Sequence, residues 1–143
     1  MTLPSAVLFS CTMNAIRSPM AEAIMKHYYG AEVFIDSVGT RTQELDGFAI
    51  VAMAEIGIDI TAHKAKTFDD LEDTSYDLVI SLSPEAQHKA VDLTRYMACE
   101  VEFWNTFDPS IIEGSREVRL EAYRKVRDEL VKRIRDRFSD EDE

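Results

Sequence analysis

Residues 11–19, CTMNAIRSP, decide the fold because they join an apparent strand to an apparent helix. Residues 6–9, AVLF, form the short apolar run that is typical of a buried strand. Ser18 is a favoured helix N-cap and Pro19 is favoured at the first helical position, and good helix formers follow both. The sequence therefore predicts a strand, a short loop and a helix, with the loop at the positive end of the helix dipole.

An anion-binding loop follows from this arrangement. Backbone N–H groups of a loop at a helix N-terminus point towards a bound anion, and the helix dipole adds to the attraction. Arg17 supplies a planar guanidinium that binds two oxygens of a phosphate-like group at once. Cys11 places a thiol in the same loop, and the thiolate is the nucleophilic form of cysteine. The residues predicted to bind the substrate are Thr12, Met13, Asn14, Ala15, Ile16, Arg17 and Ser18.

The composition indicates one globular domain, expected to span residues 1–143. The chain has 27 acidic and 16 basic residues, and its net charge of −11 disfavours general binding to nucleic acid or to an anionic membrane. The two cysteines are too few for a disulfide framework. No apolar run is long enough to span a bilayer, and no basic residue precedes the first apolar run as in a secretory signal. We therefore expect a cytoplasmic protein.

Strand and helix patterns alternate along the rest of the chain. Further strands are predicted at residues 33–35, 76–82 and 99–104, and helices at residues 48–55, 84–94 and 115–138. The last helix has apolar residues at four-residue steps, which predicts the stripe that faces the core: Val118, Ala122, Val126, Leu130, Ile134 and Phe138. This alternation predicts a single α/β domain, with a four-stranded parallel sheet and helices on both faces. Ligands of such sheets bind beyond the carboxyl ends of the strands. Cys11, Ser37 and Ser83 lie at such ends, and Asp108 follows the fourth strand closely.

Several motifs occur in a defined order. They are Cys-x5-Arg-Ser-Pro at residues 11–19, DSVGT at residues 36–40, GID at residues 57–59, TAHKA at residues 61–65, and Asp108-Pro109. Through them the chain resembles, over nearly its whole length, the low-molecular-weight protein tyrosine phosphatase family, which also contains thioredoxin-coupled arsenate reductases. Cys-x5-Arg alone is a weak pattern, but its place at a strand-to-helix turn, with the later Asp-Pro, makes it specific.

The resemblance implies a phosphatase with three catalytic residues. Cys11 is then the nucleophile that forms a phosphocysteine, Arg17 binds the equatorial oxygens, and Asp108 is the general acid and base. Phosphorylated proteins or small aryl phosphates are the expected substrates, and phosphate, sulfate or arsenate the expected site ligands. We expect no cofactor and no metal, and either a monomer or a weak homodimer.

Supporting roles also follow from the resemblance. Ser18 would donate a hydrogen bond to the sulfur, and Asn14 and Ser37 would brace the loop. His63 matches a histidine of the family, but we assign it no catalytic role. From the sequence alone, Trp104 and Phe107 belong either to the core or to the mouth of the site.

The chain departs from the family pattern at several positions. Met13 stands where the family usually has glycine, and it would be strained if that position needs a left-handed backbone. Ile16 replaces a second loop cysteine that would protect Cys11 by forming a disulfide. Ser110 and Ile111 follow Asp-Pro where the family often has aromatic residues, so a preference for phosphotyrosine stays open.

Two alternative functions remain open from the sequence. One is an arsenate reductase that uses Cys11 and an external thiol, because Ser83 stands where the three-cysteine relay needs its next thiol. Cys99 alone does not complete such a relay, and we expect it to be a buried structural thiol. The other is an inactive anion-binding regulatory domain, which the presence of Asp108 disfavours because binding alone needs no acid.

Overall fold

A four-stranded parallel sheet forms the centre of the computed structural model, which describes residues 3–71 and 75–139. The strands are β1 (Ala6–Cys11), β2 (Phe34–Gly39), β3 (Leu78–Ser81) and β4 (Glu100–Phe103). The helices are α1 (Arg17–Tyr29), α2 (Gly47–Ala54), α3 (Pro84–Leu93) and α4 (Arg116–Phe138). Short 3-10 turns occupy Phe68–Asp70 and Pro109–Ile111.

The spatial order of the strands is β2-β1-β3-β4. Cys11 pairs with Gly39, and Ser81 lies beside Ser10 on β1 and beside Phe103 on β4. The carboxyl ends of all four strands therefore meet at one edge of the sheet, as the sequence predicted. The loop after β1 lies near the middle of that edge because β1 is an interior strand.

Helices cover both faces of the sheet, again as predicted. One face carries α1, α2 and α4, whose buried side chains pack with Val7 and Phe9 of β1. The opposite face carries α3 and the turn at 68–70, which pack with Ala6 and Leu8. Successive β1 residues alternate between the faces, as strand geometry requires, and all six are buried.

The buried stripe of α4 differs from the one expected from four-residue spacing. Val126, Leu130, Ile134 and Phe138 are buried as expected, but Val118 is 52% exposed. Leu120 and Tyr123 take up the buried side instead in the first turns of the helix. A helix has 3.6 residues per turn, so a strict four-residue series drifts around its surface and leaves the core.

The start of α1 also differs from the prediction. The helix begins at Arg17, because the Met20 N–H already donates to the Ile16 carbonyl at 3.1 Å, and Ser18 is therefore not its N-cap. Ser18 lies inside the first turn, where a backbone N–H needs no helical partner and the proline that follows is tolerated. Its hydroxyl group is thereby free to turn towards Cys11.

Strand β2 extends further than its apolar run. Residues 36–39, of which Asp36, Ser37 and Gly39 are poor strand formers, pair in register with residues 8–11 of β1. Tertiary pairing overrides the local propensity here, and it carries Ser37 to the same sheet edge as Cys11. None of the described helices is long and apolar enough to cross a membrane.

Candidate active site

The loop between β1 and α1 makes one sharp backbone turn, at Asn14. Its φ of 54° is the one positive φ found at a non-glycine residue of the described chain. Asparagine tolerates this left-handed conformation better than most residues. The condition for strain at Met13 is therefore not met, because the left-handed backbone occurs at Asn14 and not at Met13.

The Asn14 side chain ties the loop to three neighbouring segments. Its Nδ2 donates to Ser18 Oγ at 2.9 Å and to Ser37 Oγ at 3.0 Å. Its Oδ1 accepts from the Lys66 backbone N–H at 2.9 Å and lies 3.1 Å from His63 Nε2. Asn14 is fully buried, so these bonds both satisfy the amide and hold the strained turn in place.

A second layer of polar side chains stands behind this brace. Ser37 Oγ donates to Glu22 Oε1 at 2.5 Å, and the same carboxylate pairs with Lys26 at 2.5 Å. His63 Nδ1 lies 3.8 Å from Glu22. The sequence reasoning named His63 without a role and missed Glu22. The only signal for Glu22 was its four-residue spacing from Lys26 on one helix, which is typical of ordinary surface pairs.

Residues 39–46 run alongside the loop and bind its carbonyl groups. The N–H groups of Thr40, Arg41, Gln43 and Asp46 donate to the carbonyls of residues 11, 12, 13 and 15 at 2.9–3.2 Å. Acceptors that would repel an anion are thereby used by the neighbouring segment. The approach requires glycine at position 39, because a Cβ there would lie 2.7 Å from the Asn14 nitrogen.

The Cys11 sulfur receives two hydrogen-bond donors from one residue. Ser18 Oγ lies 2.8 Å from Sγ, and the Ser18 backbone N–H donates to Sγ at 3.4 Å. Ser18 Oγ accepts the hydrogen bond from Asn14, and its single proton has two acceptors within reach: the sulfur at 2.8 Å and the Val38 carbonyl at 3.4 Å, of which the sulfur is the nearer. Cys11 itself is only 2% exposed. A hydroxyl or N–H group that donates to sulfur interacts more strongly with a thiolate than with a neutral thiol.

A pocket of about 210 Å³ opens over this sulfur. Its lining consists of Cys11, Thr12, Met13, Ala15, Ile16, Arg17, Gln43, Asp108 and Ser110. The structure thus brings the loop and Asp108 to the same pocket, although Cys11 and Asp108 are 97 positions apart in the sequence. Asn14, Ser18 and Ser37 lie beneath the lining, as bracing residues rather than as pocket walls.

Asp108 is held by the 3-10 turn that it caps. Its Oδ1 accepts hydrogen bonds from the Ser110 backbone N–H at 3.0 Å and from Ser110 Oγ at 2.7 Å. Asp108 thus begins a local turn and also lines the pocket, so a role in shaping the turn does not conflict with a chemical role in the pocket. Trp104 is buried in the core, and Phe107 is half exposed outside the pocket lining.

Thr106 anchors Arg17, and the sequence reasoning missed it. Arg17 Nη1 donates to the Thr106 carbonyl at 3.0 Å. Thr106 is itself fixed by its N–H to Leu82 at 3.0 Å and by its hydroxyl to the Trp104 carbonyl at 2.7 Å. One end of the guanidinium is therefore held in place, which preorganises the other end to face the pocket. A backbone acceptor leaves no side-chain signature in a sequence.

Two further contacts support the edges of the site. Thr12 Oγ1 donates to Ser83 Oγ at 3.0 Å, which joins the loop to the N-cap of α3. The Tyr123 hydroxyl donates to Asp46 Oδ2 at 3.0 Å. Burial, together with the negative charges of Asp46 and Asp108, raises the pKa of Tyr123 well above its usual range. Tyr123 is therefore a neutral donor that ties α4 to the start of α2.

No cluster of three or more histidine, cysteine or acidic side chains suited to hold a metal ion occurs within residues 3–71 and 75–139. The side chains that line the pocket include a thiol, a guanidinium and a carboxylate, from Cys11, Arg17 and Asp108.

Known proteins with similar sequences or folds include both arsenate reductases and phosphatases. An arsenate reductase of Bacillus subtilis strain 168 is 32% identical over 119 residues, 83% of this chain and 84% of that protein. The solved structure of a low molecular weight protein tyrosine phosphatase from T. tengcongensis is 28% identical, with a TM-score of 0.75 over 91% of this chain and 95% of that one.

A structure of the YwlE arginine phosphatase, a mutant with a phosphorylated active-site serine, is 25% identical. Its TM-score is 0.72, and the match covers 91% of each chain. The sequence profile described as low molecular weight phosphotyrosine protein phosphatase matches residues 6–141. The chain belongs to this family.

Proposed function

We propose that this protein is a phosphomonoester hydrolase that works through a phosphocysteine at Cys11, with phosphotyrosine or another aryl phosphate as substrate. One observation carries the proposal: Cys11, Arg17 and Asp108 line one small pocket, with two donors already directed at the sulfur. Membership of the family supports it. So does the related YwlE phosphatase, whose active-site serine was found phosphorylated in a mutant.

In the first step the Cys11 thiolate attacks phosphorus in line with the leaving oxygen. The P–O bond to the leaving group breaks as the S–P bond forms, and Asp108 gives its proton to the departing oxygen. Arg17 and the loop N–H groups bind the three equatorial oxygens, where charge redistributes in the transition state. Since Thr106 holds one end of the guanidinium, Arg17 needs little reorganisation.

In the second step water attacks the phosphocysteine. Asp108, now a carboxylate, takes the proton from that water, and the S–P bond breaks to release inorganic phosphate. Ser18 stabilises the sulfur as it leaves with negative charge, through its hydroxyl at 2.8 Å and its N–H at 3.4 Å. The same residues thus serve both steps, with Asp108 changing from acid to base.

The walls of the pocket influence the choice of leaving group. Within the described chain, its lining includes no aromatic ring, and Met13 and Ile16 supply its large apolar side chains. A phenol ring would contact the Met13 thioether, and sulfur–aromatic contacts are favourable. Met13 therefore takes the place of the aromatic clamp whose absence after Asp108-Pro109 was noted in the sequence.

Steady-state assays with p-nitrophenyl phosphate and with a phosphotyrosine peptide test the proposal. We expect hydrolysis of both, inhibition by vanadate, and a covalent phosphoenzyme after acid quenching, located on Cys11 by mass spectrometry. Lack of turnover with every phosphomonoester tried, or a phosphoenzyme on another residue, would contradict the proposal. An inactive regulatory domain would bind phosphate without any turnover.

Arsenate reduction is the second candidate, and the names of the curated relatives favour it. In this chain Cys11 would bond to arsenic, and two electrons would come from external thiols, which are oxidised to a disulfide as arsenite leaves. An internal relay is disfavoured because Ser83 stands at the end of β3 and Cys99 lies at the opposite edge of the sheet. Arsenite formation with glutathione, thioredoxin or glutaredoxin as donor, measured beside phosphatase turnover, distinguishes the two reactions.

A further inference from the structure

An apolar groove of about 710 Å³ lies beside the catalytic pocket. One wall consists of Phe107 and Ile112, and α4 supplies the other. Asp108 and Ser110, which lie between these two residues in the sequence, face the catalytic pocket instead. The segment 107–112 is therefore a shared wall, and a molecule whose phosphate occupies the pocket can continue over this wall into the groove.

The wall formed by α4 includes residues of the helix's apolar stripe that do not face the core. Val118, Ala122 and Val126 follow the four-residue spacing, but only Val126 is buried. Val118 is 52% exposed and Phe107 on the facing wall is 49% exposed. Large apolar side chains that face each other across an open groove, next to a reaction centre, are typical of a surface that binds another molecule.

The charged residues of the groove are mainly acidic. Among the described residues, Glu117, Glu121 and Glu129 line the groove, and Lys125 is the one cation in this lining. Arg124 contacts Glu117 at 2.6 Å and Glu121 at 3.2 Å, but it also binds Glu55 at 2.7 Å. Arg127 also binds Glu55 at 2.9 Å and Asp128 at 2.8 Å, and Arg133 lies 4.0 Å from Glu129. Together with Lys125, these cations number four against five carboxylates, so this rim keeps a net charge of −1 among the described residues. The chain as a whole carries −11, and both features favour a basic partner.

We propose that this groove binds the polypeptide of a phosphorylated protein substrate, through an apolar side chain against Val118 and a lysine or arginine beside Glu117 and Glu121. The inference rests on the proposed function and adds the class of substrate: phosphoproteins with basic and apolar residues close to the phosphorylated side chain. Small aryl phosphates fill the pocket only, so they do not use this groove.

Matched phosphopeptides test this selectivity. Three phosphotyrosine peptides of equal length carry flanks that are basic and apolar, acidic and apolar, or uncharged and polar. We expect kcat/KM to be highest for the basic, apolar peptide, by about tenfold over the polar one, since burial of one such apolar side chain alone has that value. The advantage over the acidic peptide should shrink as salt rises from 20 to about 500 mM.

Two variants locate the effect, and each has a matched control. Val118→Asp and Glu121→Lys should lower the ratio of kcat/KM for the basic, apolar peptide to that for p-nitrophenyl phosphate. Val91→Asp on α3, also about half exposed at 51%, and Glu32→Lys, which alters net charge equally, should leave that ratio unchanged. Equal ratios in all four variants, or peptides that differ by less than twofold in the wild type, would overturn the proposal.

Direct binding separates this inference from the proposed function. Titration of ¹⁵N-labelled protein with the unphosphorylated basic, apolar peptide should shift the amide resonances of Val118 and Ala122. Hydrolysis of p-nitrophenyl phosphate without these shifts would support the proposed function and contradict peptide binding in the groove. Shifts without any turnover would support peptide binding in the groove and contradict the proposed phosphatase activity. If Val118→Asp alters only the oligomeric state, the groove is a contact between two copies, and the proposal is wrong.

Discussion

The two cysteines of this chain lie at opposite ends of the parallel strands, Cys11 at the carboxyl end and Cys99 at the amino end, in very different surroundings. Cys11 ends the interior strand β1 and receives two donors from Ser18. Cys99 precedes the edge strand β4, in a pocket of about 560 Å³ that also contains Asp77, Glu100 and Arg137. Burial raises the pKa of Cys99, which makes it a weak nucleophile at neutral pH.

The position of each cysteine relative to the strand direction explains this difference. At the carboxyl edge of a parallel sheet, loops lead into helix N-termini, so N–H groups and the positive ends of helix dipoles collect there. The amino edge collects chain segments that arrive from helix C-termini. The same thiol is therefore placed in a cradle of donors at one edge and in an ordinary, partly buried site at the other.

The largest expected effect is loss of the proposed nucleophile, Cys11. Cys11→Ser should lower kcat for phosphomonoesters by more than about 10⁴-fold, because removal of a nucleophile leaves only the contribution of binding and charge stabilisation. The variant should still bind phosphate or vanadate, measured by calorimetry. Cys99→Ser is the matched control and should keep full activity. Comparable losses in the two variants would remove the distinction between the two edges.

The next largest effect concerns the proposed general acid, Asp108, beyond the carboxyl ends of the strands. Asp108→Asn should lower kcat by about 10²-fold or more for phenyl and alkyl phosphates, whose poor leaving groups need a proton. The loss should be much smaller for phosphates with strongly acidic leaving groups, and the limb of the kcat/KM pH profile that reports the acid should flatten. A plot of log kcat against leaving-group acidity measures this. Equal losses across the series would restrict Asp108 to a role in shaping its turn.

A smaller effect is expected from the brace beneath the loop. Asn14→Ala should destabilise the protein by about 1–3 kcal/mol through lost buried hydrogen bonds and lower kcat/KM by about tenfold as the loop shifts. Asn14→Gly accepts the φ of 54° but loses the same bonds. Melting temperatures of the two variants therefore separate backbone strain from hydrogen bonding, and full activity in both would show that the brace is dispensable.

A smaller effect still is predicted away from both edges, where Arg124 lowers the pKa of Glu55 from 4.5 to about 2. A carboxylate with a pKa below its unfolded value stabilises the fold above that unfolded value and loses this contribution as the pH falls. The stability difference between wild type and Glu55→Gln should be largest above about pH 5, fall as the pH is lowered, and disappear only below about pH 2. Chemical denaturation at several pH values measures it. A difference that grows towards acid would contradict this assignment.

The smallest expected effect is that of Cys99 on oxidation. Leu78 pairs with Val7 and with Glu100, so Cys99 lies level with Ala6, five residues along the sheet from Cys11. That is about 16 Å at 3.3 Å per residue, far beyond the reach of a disulfide. With Ile16 in the loop, peroxide should inactivate the wild type and Cys99→Ser at the same rate, through sulfenic and higher oxides of Cys11. Mass spectrometry showing a Cys11–Cys99 disulfide would contradict this distance.

Much of the fold was predictable because its signals are local. The apolar run before Cys11, the alternation of strand and helix patterns, and the order of the motifs predicted the parallel sheet and the family, and both are confirmed. The signals that misled were also local. Ser18 has the propensity of an N-cap, but its hydroxyl contacts the Cys11 sulfur instead. Val118 fits the four-residue spacing, but it is exposed because a helix with 3.6 residues per turn rotates such a series away from the core.

What the sequence by itself determined was therefore the chemistry proposed for the site: a thiol at the end of a strand pattern, a guanidinium at the start of a helix pattern and a carboxylate after the fourth strand pattern. Only the tertiary structure decided which groups hold them in place. The Thr106 carbonyl beside Arg17, the left-handed turn at Asn14 and the separation of Cys11 from Cys99 depend on strand order and register. Backbone acceptors have no residue type, and distances across a sheet are set by pairing partners remote in the chain.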